Sequence, residues 1–584
     1  MKSILLFFLV SLLPASFARA EDLNPNPPLY VLSTGTAGLP TQLESTEPST
    51  SVDVSSQTHN TAGMEYFKQK LLKSKGIRVG KEKPSKRDLI AVEGEGPVTN
   101  LTLESMIHDV VFYNPSVEKA RLEWLSSLRV TRAAWGDYEP DFVGQFNYTK
   151  LNRENSVLES LQQGGALVFL QKRSEYKAGI EGKIFSGGAY NVGYTLADDN
   201  NNLTTNNQYQ SFSGVTLKQP LFKGAWFGSP LSKIKSAKMD RGIAFHNFRT
   251  KLISILYEAE SAYWNLAFAE DKYRAAGESV DIARRLERNS REGVKTGKMS
   301  RLDAVEAQAG LASRLGSQAD AKQELVDAMN RLKLILSSDK ISNESWIRTA
   351  TPIYESSEEE EKPIDEAFLK EVLMVQPNYL ARRYELDKEE IDLKARKDQS
   401  LPEVNANGSF GYTSLGQNAE EAWRKLNLTN HETWSAGVEV KIPLLFGVEG
   451  RNMYAAEKLK REAAQENLKS TGYEIESSLR ALSRRVKALR ERIENARSVT
   501  EYRQKLLEAE FSRLDAGKST SRLIFEAEEK LSEAKQFEFE SWVRHREAAT
   551  QFAVYSGALL ARRGLETLND TSPILSETIL HPNR

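Results

Sequence analysis

The sequence predicts an α+β membrane protein made of two structural repeats, each combining long coiled-coil helices with amphipathic β-strands. Three observations lead there. First, landmarks recur in one order: Asn114-Pro115-Ser116 and Glu139-Pro140-Asp141 reappear 262 positions later as Gln376-Pro377-Asn378 and Leu401-Pro402-Glu403. Second, proline is absent from 231 to 351 and again from 444 to 572, so nothing forces a break in a helix there. Third, short segments near each repeat's centre alternate apolar and polar residues. A duplication of this kind is read before anything else, because missing it miscalls the whole architecture.

Residues 1–20 carry Lys2, an apolar run from Ile4 to Leu13 and Ala18-Arg19-Ala20, the pattern of a cleaved secretory signal. Removing that segment takes the net charge from -1 to -3, which gives no reason to expect a nucleic-acid partner. The chain has no cysteine, which excludes disulfides, thiolate metal sites and a lipid on an N-terminal cysteine. No later segment offers eighteen consecutive apolar residues. An exported chain of this kind can still enter a membrane as strands of a closed barrel, because only helices and closed barrels satisfy their own backbone there.

Residues 21–98 turn from Pro/Ser/Thr/Gly-rich to strongly basic and read as a linker. The first repeat follows at 99–345, an acidic connector at 346–363, the second repeat at 364–570 and a tail at 571–584. Within the second repeat, Ile475, Leu479, Leu482, Val486, Leu489 and Ile493 alternate steps of four and three, the seam of a coiled coil. Leu252, Leu256, Ala259, Tyr263 and Leu266 repeat that spacing in the first. The expected long helices, 231–296 and 451–516, would each extend roughly 100 Å at about 1.5 Å per residue.

Strands are expected near 142–149, 209–219, 403–413 and 433–443, with an extra pair within 176–196 turning at Ser186-Gly187-Gly188. Val404, Ala406, Gly408, Phe410 and Tyr412 alternate with Asn405, Asn407, Ser409 and Gly411, giving one apolar face and one polar face. That alternation fits strands with lipid on one side and a lumen on the other, a reading preferred to an ordinary sandwich with its apolar faces in a core because the strands are few, lie in separate repeats and belong to an exported chain. Four or six strands enclose no pore alone, so several copies would share one barrel.

The doubled order, the strand exits at Gln219-Pro220-Leu221-Phe222 and Pro443-Leu444-Leu445-Phe446, and the turns at Gly297-Lys298 and Gly517-Lys518 resemble the TolC-like outer-membrane efflux protein family over roughly 100–560. The resemblance implies a trimeric shared β-barrel, of 12 or 18 strands for three copies, continued by an α-helical periplasmic tunnel. It also implies a homotrimer set in outer-membrane lipid, docked to a periplasmic adaptor (membrane fusion) protein and an inner-membrane RND or ABC transporter, and serving efflux or type I secretion. No cofactor and no bond-making chemistry is implied. Adaptor docking would fall on the turns holding Gly297, Lys298, Ser300, Gly517, Lys518 and Thr520, and the strand-to-helix exits on Pro220 and Pro443. Asp303, Arg522 and Glu526 are the corresponding gate candidates. Leu523 stands where relatives carry a second acidic residue.

A periplasmic coiled-coil structural or adaptor protein with a small soluble β-domain is the alternative from another class. Other chemistry finds little footing. Gly293 to Met299 has three residues between its glycines where a phosphate loop needs four, and Met299 replaces the required Ser or Thr. The six histidines, His59, His108, His246, His431, His545 and His581, show no metal-binding spacing. Asp198-Asp199-Asn200-Asn201-Asn202 reads as a polar loop between strands.

Overall fold

The computed structural model describes residues 98–565, apart from 163, 166, 203–206, 227, 298, 338–344, 355–363, 429–430, 444–446 and 517. The predicted signal, nearly all of the 21–98 linker, the acidic run and the 571–584 tail lie outside the described residues. A short strand β1 (Val98–Leu101) leads into helices α1 (Leu103–Tyr113) and α2 (Pro115–Ala133), then a 3₁₀ turn (Ala134–Tyr138). Strand β2 (Asp141–Glu154), a six-residue helix α3 (Val157–Gln162) and strands β3 (Val168–Lys183), β4 (Ala189–Asn201) and β5 (Gln208–Pro220) follow. The long hairpin α4 (Ser232–Lys295) and α5 (Arg301–Leu336) closes the first repeat, and β6 (Trp346–Thr349) joins it to the second. The order then recurs as α6 (Glu366–Val375), α7 (Pro377–Gln399), β7 (Glu403–Gly416), α8 (Ala419–Leu428), β8 (Glu432–Lys441), α9 (Val448–Asp515) and α10 (Ser521–Tyr555), ending in α11 (Leu559–Arg562).

The recurring proline motifs start the short helices. Asn114 caps α2 by accepting from the N–H groups of Ser116 (2.8 Å) and Val117 (3.2 Å), and Pro115 sits where a missing N–H costs nothing. Gln376 does the same for α7, accepting from Asn378 N at 2.7 Å. These caps also join helices end to end. Asn114 Nδ2 donates to Ile335 O (2.6 Å) in the last turn of α5, and Gly557, just past α10, packs against Gln376. Each repeat therefore carries one long helix beside two shorter ones stacked along it.

The coiled-coil seams are buried as expected: Leu252, Leu256, Ala259, Tyr263 and Leu266 on α4, and Ile475, Leu479, Leu482, Leu489 and Ile493 on α9, with Val486 half-buried. Trp124 of α2 stacks on Phe248 of α4 at 5.7 Å between ring centroids. One expectation needs correction. Residues 346–349, assigned to the acidic connector, form β6 and pair in parallel with β1. Tyr263 fixes that small sheet to α4, its hydroxyl donating to Leu101 O (2.9 Å) and accepting from Thr351 N (3.0 Å). Four-residue strands carry too little pattern for alternation to reveal them.

The main sheet is antiparallel throughout, in the order β2-β3-β4-β5-β7-β8. The extra hairpin β3-β4 is an integral part of it. All six strands outrun or match their expected lengths except β8, which stops at Lys441. Asp198 to Asn201, expected in a loop, complete β4 by pairing with β3.

Candidate functional site

Facing residues on neighbouring strands share a side of the sheet, so the register assigns both faces. One row runs Phe142, Ile180, Val192, Val215, Phe410, Trp434 across all six strands. The next rows on that side add Ala178, Tyr194 and Tyr412, then Phe146, Tyr176 and Leu196. This apolar face is bare: Phe142 is 77% exposed and Trp434 70%. Only the short helix α8 packs on it, near its outer end at Tyr194, Ser211 and Ser414, and no second sheet faces it, which rules out a sandwich core within the described residues. The other face carries Glu181, Asn191, Thr216, Lys218, Asn407 and Ser435, which line a hollow of about 660 Å³. The sheet thus curls with its polar side inward and its apolar side outward, as lipid outside and water inside require.

Aromatic residues mark the sheet's base. Phe185, in the β3-β4 turn, meets Tyr138 (4.9 Å) and Trp135 (6.3 Å), and Trp226 donates its backbone N–H to Ser186 O at 2.8 Å. Trp135, Phe185, Phe222 and Trp226 are all exposed, the composition of an interfacial girdle. Pro220 ends β5 where the chain leaves the sheet, and Pro443 lies just past β8, before the left-handed Gly447 (φ 64°) that opens α9.

At the far end of the helices, Gly297 adopts φ 71°, a left-handed conformation that glycine enters without a β-carbon clash. Ser300 and Asp303 form a reciprocal cap on α5: Asp303 Oδ2 accepts from Ser300 N (2.9 Å) and Ser300 Oγ accepts from Asp303 N (3.2 Å). Thr520 occupies the matching position before α10 but makes no side-chain cap. Lys518 N donates to Arg513 O at 2.8 Å, closing the second turn. Lys298 and Gly517 lie outside the described residues. Arg522 and Glu526 stand exposed one turn apart on α10, and Asp303 spends its carboxylate on its own helix.

The structure brings the two turns together through residues that the sequence did not single out. Ser290 of α4 and Ser521 of α10 share a buried hydroxyl contact at 3.1 Å. Arg314 of α5 reaches Glu528 of α10 at 3.1 Å, both nearly buried, and donates to Phe525 O. Phe525 fills the space over Gly310, where an added Cβ would meet its ring at 2.6 Å. Leu286, Leu507, Ile524 and Leu531 make a small core beneath. Leu302 and Val305, on the first turns of α5, are left 65% and 59% exposed. No periodic signal separates Arg314 and Glu528 from the many charged residues on these helices.

A curled sheet with an apolar exterior, continued by paired helical hairpins that meet at reversing turns, defines a membrane channel extended by a helical duct. The profile of the outer membrane efflux protein family matches residues 189–338 and 369–541. The chain belongs to that family and is an outer-membrane efflux protein. No curated protein sequence matches it. Among solved structures it is similar in fold to the CmeC outer membrane channel of Campylobacter jejuni, with TM-score 0.59, 16% identity, and 81% of this chain and 88% of that one covered. The open state of the Neisseria gonorrhoeae MtrE outer membrane channel gives 0.56 and 15%, covering 82% and 97%. The outer membrane protein VceC of Vibrio cholerae gives 0.54 and 13%, covering 78% and 96%.

Proposed function

We propose that this chain is the exit duct of a tripartite export assembly, in which three copies close edge to edge into one barrel of 18 strands. The observation that carries this is the unbroken six-stranded sheet with a bare apolar exterior and two unpaired edges, β2 and β8. Lipid offers no hydrogen bonds to open edges, so both must be paired by another strand. β2 and β8 run in opposite directions, so β8 of one copy can pair antiparallel with β2 of the next. Barrel diameter grows roughly in proportion to strand number, so 18 strands give about 1.5 times the width of a 12-stranded barrel.

Substrates would enter from a periplasmic adaptor protein docked at the turns around Gly297, Ser300, Lys518 and Thr520, fed by an inner-membrane RND or ABC transporter. The exposed Leu302 and Val305 offer that adaptor an apolar contact. With Asp303 committed to its cap, Arg522 and Glu526 are the charged groups available to a gate at the closed end. Transport makes and breaks no bonds. Detergent-extracted protein should run as a heat-modifiable trimer and conduct as a single wide pore in planar bilayers. A monomer that needs no detergent would overturn the barrel, and a trimer whose conductance matched a 12-stranded width would overturn the strand count. Loss of cation sensitivity in Glu526→Ala is the expected mark of a gate there; unchanged block would remove it.

A further inference from the structure

The outward face of the sheet ends in a feature that the passage of substrate does not use. Going outward along β2 and β3 from the Phe142–Ile180 pair, the facing residues are Phe146–Tyr176, Tyr148–Ser174 and then Lys150–Lys172. Both lysines are exposed, and neither makes a hydrogen bond or ion pair among the described residues. Asp198 lies one row inward, opposite Ser174 on β4, and pairs with neither. Like charges directly opposite on an antiparallel pair repel one another, so this position is unfavourable unless an anion sits between them.

The spacing says which anion. Eight residues separate Phe142 from Lys150, about 26 Å of strand at roughly 3.3 Å per residue, which at a tilt of about 40° rises about 20 Å through the apolar band of about 25 Å that an outer-membrane barrel presents. The lysines therefore stand where acyl chains give way to headgroups. Helix α8 marks the same boundary further round the sheet. It lies on the outward face, where Ala422 O accepts from Ser211 Oγ (3.2 Å) and from Ser414 Oγ, and the Trp423 ring meets Tyr194 edge-on at 4.9 Å. Trp423 remains 54% exposed, an amphipathic ring at the level where tryptophan favours the membrane interface.

We propose that this outer rim binds the phosphate groups of anionic lipid in the surrounding leaflet, with Lys150 and Lys172 holding one phosphate between two strands and Trp423 seating the neighbouring rim among headgroups. Lysine suits the task as a compact point charge for phosphate. The proposal rests on the barrel reading, since only that reading turns the apolar face to lipid.

The test uses full-length protein reconstituted in phosphatidylcholine vesicles with or without a minority of lipid A as the phosphate-bearing probe. Wild type is compared with Lys150→Gln/Lys172→Gln, and with Lys177→Gln/Lys183→Gln, which removes as much charge from the opposite, polar face. Lipid retained after extraction is counted by native mass spectrometry. Wild type and the polar-face variant should retain lipid A preferentially, and the rim variant should lose that preference roughly 25-fold, taking about fivefold for each lysine near an anionic surface. Equal preference in all three, or equal loss in both variants, overturns the proposal. Failure of every protein to insert into phosphatidylcholine alone would instead refute the barrel, and this proposal with it.

Discussion

Val215→Arg is the substitution that most directly interrogates the assignment of faces. Val215 lies in the apolar row between Val192 and Phe410, five residues from the end of β5 at Pro220. At about 3.3 Å per residue that is roughly 17 Å from the base along a tilted strand, near the middle of the apolar band. An arginine there costs about 2–4 kcal/mol when the face is lipid-exposed. Every 1.4 kcal/mol is tenfold in an equilibrium, so the folded-to-unfolded ratio should fall by roughly 30-fold to several hundred-fold per chain. Thr216, the next residue, points to the opposite face beside Asn191 and Ser409; Thr216→Arg places the same charge in water and should change stability little. Urea midpoints of vesicle-inserted protein, read by loss of heat-modifiable migration, give both values under one condition. Equal midpoints for the two variants, or a larger loss in Thr216→Arg, would refute the assignment.

Burial pushes the His246 imidazole down to about 4, with the Arg249 charge adding to the effect, so it stays neutral in the fold while the unfolded chain takes up a proton near pH 6.5. Stability from this site should be full above about pH 6.5 and decline by up to about 3 kcal/mol towards pH 4, a limb that denaturation of His246→Phe should flatten. Arg563→Ala leaves Glu260, only 1% exposed, without the two 2.7 Å bonds that tie the residue after α11 to α4; a loss of about 3–5 kcal/mol in thermal unfolding is expected, since a stranded buried charge costs more than the intact pair contributes. Because the chain has no cysteine of its own, Ser290→Cys/Ser521→Cys would place its only two thiols at a 3.1 Å contact between α4 and α10. Oxidation should then reduce opening in planar bilayers without changing the mass of the assembly, and conductance equal to that of the reduced protein would count against movement at that end.

Much of the architecture is legible because membrane strands and coiled coils repeat a strict pattern. The boundaries of α4 and α9 fall close to the ends expected from proline-free stretches and terminal glycines, since a helix of that length needs only an uninterrupted seam and a residue able to leave it. The β3-β4 hairpin is visible as alternation, but its true length is not. Beyond the apolar band its residues are polar on both sides, as at Asp198 and Asp199, so a strand continuing past the membrane reads like a loop. β1 and β6 escape notice because their partners lie some 250 positions apart in sequence. The turns are legible through the repeated Gly-Lys, whereas Arg314 and Glu528 become distinctive only when two helices from different repeats are laid side by side.

The caps explain why the unit had to be doubled with its proline motifs intact. A duct wall must show the same number of helices at every height, or it leaks. α4 and α9 run the full length, but α5 and α10 stop about halfway, after 36 and 35 residues. Beyond their ends α2 and α7 take over, packing on α4 and α9 in turn. Asn114 and Gln376 sit at those two junctions, where one helix leaves carbonyl groups unpaired and the next leaves N–H groups unpaired. Asn114 serves both, accepting from α2 and donating to α5, so a single side chain lets two short helices act as one long one. Replacing it with alanine would unpair both ends at once, and the cost would appear as water entry at the junction before any loss of the sheet. The wall is continuous because two helix ends share one amide.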